Sequence, residues 1–235
     1  MELPRNEEGK NYYFRSPLTS TLQLDLVMSK MKKGGFKLAA FGTSMPAIFN
    51  LKARDTGGEA ICAKRTYDAV ERVVEVSGSL TKRIVNIPHQ GEKQFQSLMM
   101  EVTCLVWAQA LLGIVYDFIE VENKEYATHS PFNIPQFCFV NAAIAMESSP
   151  PSKRTTFLIE EVINADVEGP FRKYINNISP VPLVMETKED DDRARFLAFS
   201  QHVQYWKTRK QAFVSDYQGM LTISFTRTLI NALGT

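Results

Sequence analysis

Cysteine and histidine are scarce in this sequence, which has three of each among 235 residues. The cysteines, Cys62, Cys104 and Cys138, lie far apart, and they form neither a CxxC motif nor a zinc-ligand spacing with histidine. This spacing argues against a disulfide framework and against the common zinc motifs, and it is typical of free core thiols in a reducing compartment. We therefore expect no metal site.

The chain also lacks an excess of either charge, because 27 basic residues balance 26 acidic ones, for a formal net charge of +1. A basic tail and an acidic solvating tract are both excluded, so any contact with nucleic acid has to come from local clusters. The N-terminal residues include acids and no apolar segment, which argues against a signal or transit peptide. We expect a cytoplasmic or nuclear protein and not a secreted one.

Recognisable catalytic motifs are missing as well. No GxSxG elbow or cysteine-led motif accompanies His89, His129 or His202, and no GKS or GKT follows the Gly57–Gly58 pair. The acidic run 189–192 occupies adjacent helix positions, whose side chains diverge and do not converge on one ion. The sequence thus predicts no cofactor, no metal and no catalytic residue. An enzyme assembled from dispersed residues stays open as the alternative, with His89 and His202 the first to test.

The densest apolar stretch runs from Gln94 to Ile119. Its apolar residues fall on most sides of a 3.6-residue helix, which predicts a central helix that is packed from several directions. The uncharged part between Glu101 and Asp117 spans about fifteen residues, fewer than the roughly 20 that cross a bilayer. The prediction is a buried helix and no transmembrane segment.

Short alternating runs and turn residues dominate the part before this helix. The alternation from Leu22 to Met28 favours a strand, although a helix capped near Gly35 remains the alternative. Residues 47–54 and 59–65 flank the turn sequence DTGG and predict a hairpin, and residues 69–76 and 81–88 predict a second one across SGS. We expect an antiparallel sheet over residues 20–89.

Helix patterns dominate the part after it. Residues 155–165, TTFLIEEVINA, follow a serine and proline turn and predict a helix. A longer helix is predicted from a cap at Thr187, with an apolar stripe from Phe196 to Tyr217 and a stop at Gly219. Strands first and helices later indicate an α+β fold: an antiparallel β-rich N-terminal half, about 20–89, packed with a helical C-terminal half around the central buried helix.

The predicted organisation is an N-terminal arm, residues 1–16, and a single domain, residues 17–235, in which a subdivision into 17–121 and 122–235 stays open. The aromatic residues Tyr12, Tyr13 and Phe14 are the candidate oligomerisation contacts, because such side chains anchor interfaces. A frayed terminus is the alternative.

Basic residues occur in pairs and triplets on otherwise apolar segments, a pattern that suits a phosphate backbone and equally an ordinary solvated surface. The candidate nucleic-acid-binding residues are Lys64, Arg65, Lys82, Arg83, Lys207, Arg209 and Lys210. Together with the absence of a catalytic motif, they suggest a non-enzymatic structural protein that self-associates and contacts RNA or a membrane-proximal partner, like a capsid, nucleocapsid or matrix subunit. Its expected partners are further copies of itself and RNA.

Overall fold

The computed structural model describes residues 21–49, 58–76, 79–125, 134–150, 154–163, 166, 169–219, 224–225 and 229–232. Its helices are Gly91–Glu125 (α1) and Lys188–Lys207 (α2), with a short 3-10 helix at Met28–Lys30. Its strands are Gln23–Leu26 (β1), Lys32–Lys33 (β2), Lys37–Met45 (β3), Glu59–Val76 (β4), Ser79–Pro88 (β5), Cys138–Phe139 (β6), Ala142–Met146 (β7), Thr156–Glu161 (β8), Arg172–Lys173 (β9), Ala212–Ser215 (β10), Gln218–Gly219 (β11), Ser224–Phe225 (β12) and Leu229–Ala232 (β13). The predicted α+β class is confirmed.

Seven strands form one antiparallel sheet in the order β1-β3-β4-β8-β7, with β2 paired to β3 and β5 paired to β4. The sheet expected over residues 20–89 is confirmed in β1 to β5. One face of it buries Ile61, Ala63 and Ile159, against which Leu24 and Phe157 pack. Because β4 pairs with β3, β5 and β8, it lies at the centre of the sheet.

The two predicted hairpins have different outcomes. The second is confirmed, since β4 and β5 pair antiparallel as far as Val76 and Ser79. In the first, the partner of β4 is β3 and not residues 47–54, and Ser44 lies opposite Glu59. Pro46 follows β3 and has no N–H for the ladder, and Ala47–Phe49 are not in a strand. Residues 50–57 lie outside the described part of the chain.

The helix predicted over residues 155–165 is wrong, because Thr156–Glu161 is strand β8. It lies between β4 and β7 and pairs antiparallel with both. Leu158 and Ile159 are fully buried, so both faces of the strand are covered. Neighbouring strands on both edges pair the backbone groups that a helix would bond internally, and β-branched and aromatic residues suit that setting.

The central helix is confirmed as α1, which spans 35 residues. Leu98, Ala108 and Leu111 are fully buried, whereas the Met100 side chain is 71% exposed, so part of the helix surface faces solvent. By length and composition α1 is apolar enough to cross a membrane, with a mean hydropathy of 1.8 over 18 residues, 44% of which are buried. A core helix meets the same criterion.

The long helix predicted from Thr187 begins where expected but ends earlier than predicted. The Thr187 hydroxyl accepts a hydrogen bond from the Asp190 N–H at 3.2 Å, which confirms the predicted cap. The helix ends at Lys207 and does not reach Tyr217, because Arg209 and Lys210 have φ of 54° and 68°. Left-handed backbone at two successive residues cannot continue a right-handed helix.

The chain forms two compact units. The first, which we call the sheet unit, comprises Ser20–Val102 and Asn141–Val162; it contains the seven-stranded sheet and the first turns of α1. The second, the helical unit, includes Thr103–Val140 and Ile163–Thr235. It contains the rest of α1, α2 and three two-stranded pairings, β10 with β13, β9 with β11 and β6 with β12.

Candidate active site

A buried ion pair lies at the centre of the sheet unit. Lys64 on β4 pairs through its Nζ with Glu160 on β8, and their side chains are 16% and 3% exposed. Cys62 lies directly opposite Glu160 on the neighbouring strand, and burial raises the pKa of its thiol against the lowering effect of Lys64. Because removing either partner leaves a buried charge without compensation, such a pair is costly to break. The arrangement therefore holds a lysine ammonium at a fixed place in the sheet.

A second lysine–glutamate pair joins the sheet to the first turns of α1. Lys37 on β3 pairs with Glu101 on α1, and both side chains are about a quarter exposed or less. Lys37 lies opposite Thr66 in the register of β3 and β4, and Ala39 lies opposite Lys64. Because residues two apart on a strand share a face, Lys37 and Lys64 are on the same face of the sheet.

The histidines that the sequence singled out have different settings. The His89 ring is 11% exposed and hydrogen-bonds Thr66 and Asp68 in the sheet unit. His202 is exposed on α2. His129 lies outside the described residues. Within the described part of the chain, His89 and His202 form no hydrogen bond with a serine or cysteine side chain. The ring of His89 bonds Thr66 and Asp68, so His89 has a structural role in this geometry.

A carboxylate in an unusual backbone conformation lies in the helical unit. Asp216 follows β10, has φ of 61° and is buried, with its Oδ1 atom 2.6 Å from Lys173 Nζ. The next residue, Tyr217, accepts at its carbonyl oxygen from the N–H of Tyr174 and of Ile175, at 2.8 and 3.2 Å. A non-glycine residue in the left-handed region persists where surrounding bonds fix it, and such residues are concentrated at functional sites.

The start of α2 contains a fully partnered acid. Asp190 is 2% exposed, with Arg193 Nη1 3.0 Å from Oδ1 and Arg172 Nε 3.1 Å from Oδ2. The Thr187 hydroxyl donates to the same carboxylate at 2.9 Å. Within the acidic run 189–192, Asp190 is therefore a buried side chain with basic partners. No group of three or more His, Cys, Asp or Glu side chains that could hold an ion occurs in the part of the chain that the structure describes.

The candidate nucleic-acid residues fall in two groups. Lys64 and Arg65 are half-buried in β4, where Arg65 donates to the His89 carbonyl oxygen and lies over the Phe157 ring. Burial lowers the pKa of the Arg65 guanidinium, an effect that Glu147 opposes.

The others lie at the surface or at a helix end. Lys82 is exposed and pairs with Glu71 at 3.0 Å, and Arg83 lies opposite Arg72 in the β4–β5 ribbon. In the helical unit, Lys207 lies over the rings of Phe118 and Trp206 at 4.9 Å from each, and Arg209 and Lys210 follow α2. RNA binding by this set stays a prediction. The oligomerisation contacts Tyr12, Tyr13 and Phe14 lie outside the described residues, and self-association stays a prediction too.

A comparison with protein-family models matches residues 44–231 of the 235-residue chain to the alpha-kinase family. The match covers most of the chain and both units. The protein belongs to the alpha-kinase family. No curated protein matched the sequence.

This membership corrects the expected function. A structural subunit of capsid, nucleocapsid or matrix type is wrong, because the family points to a protein-kinase-like enzyme, and the alternative of an enzyme with dispersed residues is the better interpretation. Sequence reasoning missed Glu160, Glu101 and Asp216 as site candidates. Lys64 follows the apolar residues of the run EAICAKR, and this position was an indication that its charge is buried. Lysine is almost never fully buried unless it is paired, so a carboxylate partner could have been expected.

Proposed function

We propose that this protein transfers a phosphoryl group from a nucleoside triphosphate to a protein substrate, and that Lys64 is the lysine that binds the nucleotide phosphates. The observation that carries the proposal is the Lys64–Glu160 pair, in which a lysine side chain that is 16% exposed is fixed on a central strand. Membership of the alpha-kinase family supports it.

The chemistry of phosphoryl transfer favours such a group. Charge develops on phosphate oxygens while little covalent work is left to the protein, so catalysis depends on positioning and on electrostatic stabilisation. Protein kinases use a lysine on a strand for this purpose, and its orientation depends on a glutamate. Lys64 meets the first requirement, and Glu160 orients its ammonium group.

Lys37 is the second lysine that the geometry offers. Its partner Glu101 lies on a helix, as the glutamate partner does in protein kinases. Lys64 is preferred because its carboxylate partner is more deeply buried and its strand is central in the sheet. A variant at each position separates the two.

Kinase reactions also use Mg²⁺, which is usually held by one or two carboxylates together with the substrate phosphates. Asp216 supplies a buried carboxylate oxygen of the hard type that this ion prefers, and Lys173 compensates its charge. A bound Mg²⁺ would neutralise phosphate charge. Asp216 belongs to the helical unit, so we assign it no part in the Lys64 site, and the proposed role of Lys64 does not depend on it.

Transfer of radioactive phosphate from ATP to dephosphorylated casein, and to the protein itself, tests the proposal. We expect Lys64→Gln to lower kcat/KM by about 10²-fold, the usual loss for one charge-stabilising donor. Lys82→Gln is the matched control, because Lys82 is exposed in the same unit and pairs with one surface glutamate. Lys37→Gln should retain more activity than Lys64→Gln. No transfer by the wild-type protein, or equal activity in the Lys64 and Lys82 variants, would reject the proposal.

A further inference from the structure

His89 lies between β5 and α1 and hydrogen-bonds two residues of β4 through its backbone N–H and both ring nitrogens. Its N–H donates to the Thr66 carbonyl oxygen at 3.0 Å. On its ring, Nδ1 is 2.9 Å from Thr66 Oγ1, and Nε2 is 2.9 Å from Asp68 Oδ1. The ring itself is 11% exposed, whereas the side chain of its partner Asp68 is 53% exposed. His89 therefore connects the start of α1 to Thr66 and Asp68, two residues on the same face of β4.

Gln94, in the first turn of α1, completes the connection. Its side chain is fully buried. With its amide nitrogen towards His89, Gln94 donates to the His89 carbonyl oxygen at 2.7 Å and accepts at Oε1 from the Thr66 N–H and hydroxyl, each at 3.1 Å. The opposite orientation keeps one bond to Thr66 Oγ1 but sets two carbonyl oxygens against each other. The first orientation satisfies both ends of the buried amide.

The Thr66 hydroxyl has a single proton, and this fixes how the network depends on His89. If the hydroxyl donates to Gln94 Oε1, it can only accept from His89, so Nδ1 carries a proton. Nε2 also carries one, because its partner is the Asp68 carboxylate. When His89 is neutral with its proton on Nε2, the hydroxyl turns to donate to Nδ1, and Gln94 loses that bond. The doubly protonated ring thus makes one more connection to α1.

Charged groups face this ring from both neighbouring elements. On β4, Asp68 accepts from the ring and Arg65 Nη2 donates to the His89 carbonyl oxygen at 3.0 Å. On α1, Lys93 binds the other oxygen of Asp68. Hydrogen bonds from Lys93 first and from His89 second lower the pKa of the Asp68 carboxyl group. Asp68 is therefore the anion beside the ring, and Lys93 and Arg65 are the cations near it.

We propose that His89 is a positioning residue that clamps the first turns of α1 to β4 when its ring is doubly protonated, and that loss of one proton loosens the clamp. About two turns beyond Gln94, α1 carries Glu101, the partner of Lys37 on β3. The clamp therefore holds the helix in the register that forms this pair. Its effect on catalysis rests on the proposed function, whereas the clamp itself does not.

Amide hydrogen exchange on the full chain, corrected for intrinsic rates, tests the clamp without any measurement of catalysis. We expect opening of residues 94–97 to increase by about five- to tenfold between about pH 6 and about pH 8, the effect of one hydrogen bond. Over the same range, NMR of the ring nitrogens should show both protonated at the lower pH and one at the higher. An unchanged opening rate, or a ring with one proton at both pH values, overturns the proposal.

Two substitutions keep the test specific. Thr66→Val preserves the strand shape and removes the hydroxyl, so the pH dependence of opening should disappear while the fold remains. His202→Gln is the matched control, because His202 is exposed on α2, and its dependence should equal that of the wild type. Persistence of the dependence in Thr66→Val, or its loss in His202→Gln, contradicts the proposal. If exchange and NMR agree with the clamp while phosphate transfer is absent, the proposed function alone fails.

Discussion

Two buried carboxylates, Glu160 in the sheet unit and Asp190 in the helical unit, have very different surroundings. The Glu160 side chain is 3% exposed and the Asp190 side chain 2%. Asp190 contacts two guanidinium groups and a threonine hydroxyl, whereas the ion-pair partner that the structure gives Glu160 is Lys64. A carboxylate with partners on all sides holds its own element together. A single ammonium beside a single carboxylate can instead exchange part of its bonding to a phosphate.

The largest expected effect is at Asp190. Asp190→Ala leaves Arg172 and Arg193 without their shared carboxylate, so we expect a loss of about 3–5 kcal/mol in the free energy of unfolding. Urea unfolding measures it. Asp191→Ala is the matched control: its pair with Arg195 is at the surface, and its loss should stay below about 1 kcal/mol. Equal losses of unfolding free energy in the two variants would contradict the structural role of Asp190.

The next experiment separates stability from activity at the Lys64–Glu160 pair. Replacing both members, Lys64→Met with Glu160→Leu, removes two buried charges together and leaves neither uncompensated. We expect the free energy of unfolding to stay within about 1 kcal/mol or to rise. Phosphate transfer should fall by about 10²-fold. A double variant that is stable and fully active would show that the pair is structural, like Asp190.

A smaller effect is expected at the cap of α2. Thr187→Ala removes the hydroxyl that accepts from the Asp190 N–H and donates to its carboxylate. The expected loss is about 1 kcal/mol in the free energy of unfolding, measured in urea. Thr187→Ser keeps the hydroxyl and should restore most of it. A serine variant as unstable as the alanine variant would assign the loss to the methyl group.

The last effect is absent at neutral pH and appears only at high pH, at Tyr217, the residue after Asp216. Burial raises the pKa of Tyr217 to about 12, although hydrogen bonds with Ser200 and Gln204 lower it. The unfolded phenol loses its proton near pH 10, so the native state binds more protons above that value. Stability should therefore decline between about pH 10 and about pH 12. In Tyr217→Phe the decline should be shallower, and an identical pH profile would contradict the assignment.

Local patterns in the sequence predicted much of the fold. Apolar density predicted α1, the SGS turn predicted the β4–β5 hairpin, and Thr187 predicted the start of α2. The errors occurred where distant partners decide. The local pattern of residues 156–161 predicts a helix, but in the fold β4 and β7 pair with the backbone of this segment on both edges. The paired residues of β4 are 94 to 100 positions upstream of β8 and those of β7 are 10 to 18 positions upstream, and periodicity cannot find the distant partner.

The candidate site was harder to predict from the sequence than the fold. Lys64 was recognised as a basic residue and assigned to RNA, because its partner Glu160 is 96 positions away in the sequence. Asp216 fell within the helix that was predicted to continue to Gly219, because Arg209 and Lys210, whose left-handed backbone ends α2, are not residue types that indicate such a break. Charge pairing across strands and positive φ at lysine or arginine are properties of the folded chain.

Nucleotide binding tests the central claim, that Lys64 binds the phosphates of ATP, most directly. Calorimetric titration of the wild-type protein and of Lys64→Gln with ATP and Mg²⁺ gives both dissociation constants without requiring a protein substrate. We expect the Kd of the variant to be higher by about tenfold or more, the loss of about 1.4 kcal/mol that one charge-assisted contact supplies. Equal Kd values for the two proteins, or no binding by the wild type, would contradict the claim.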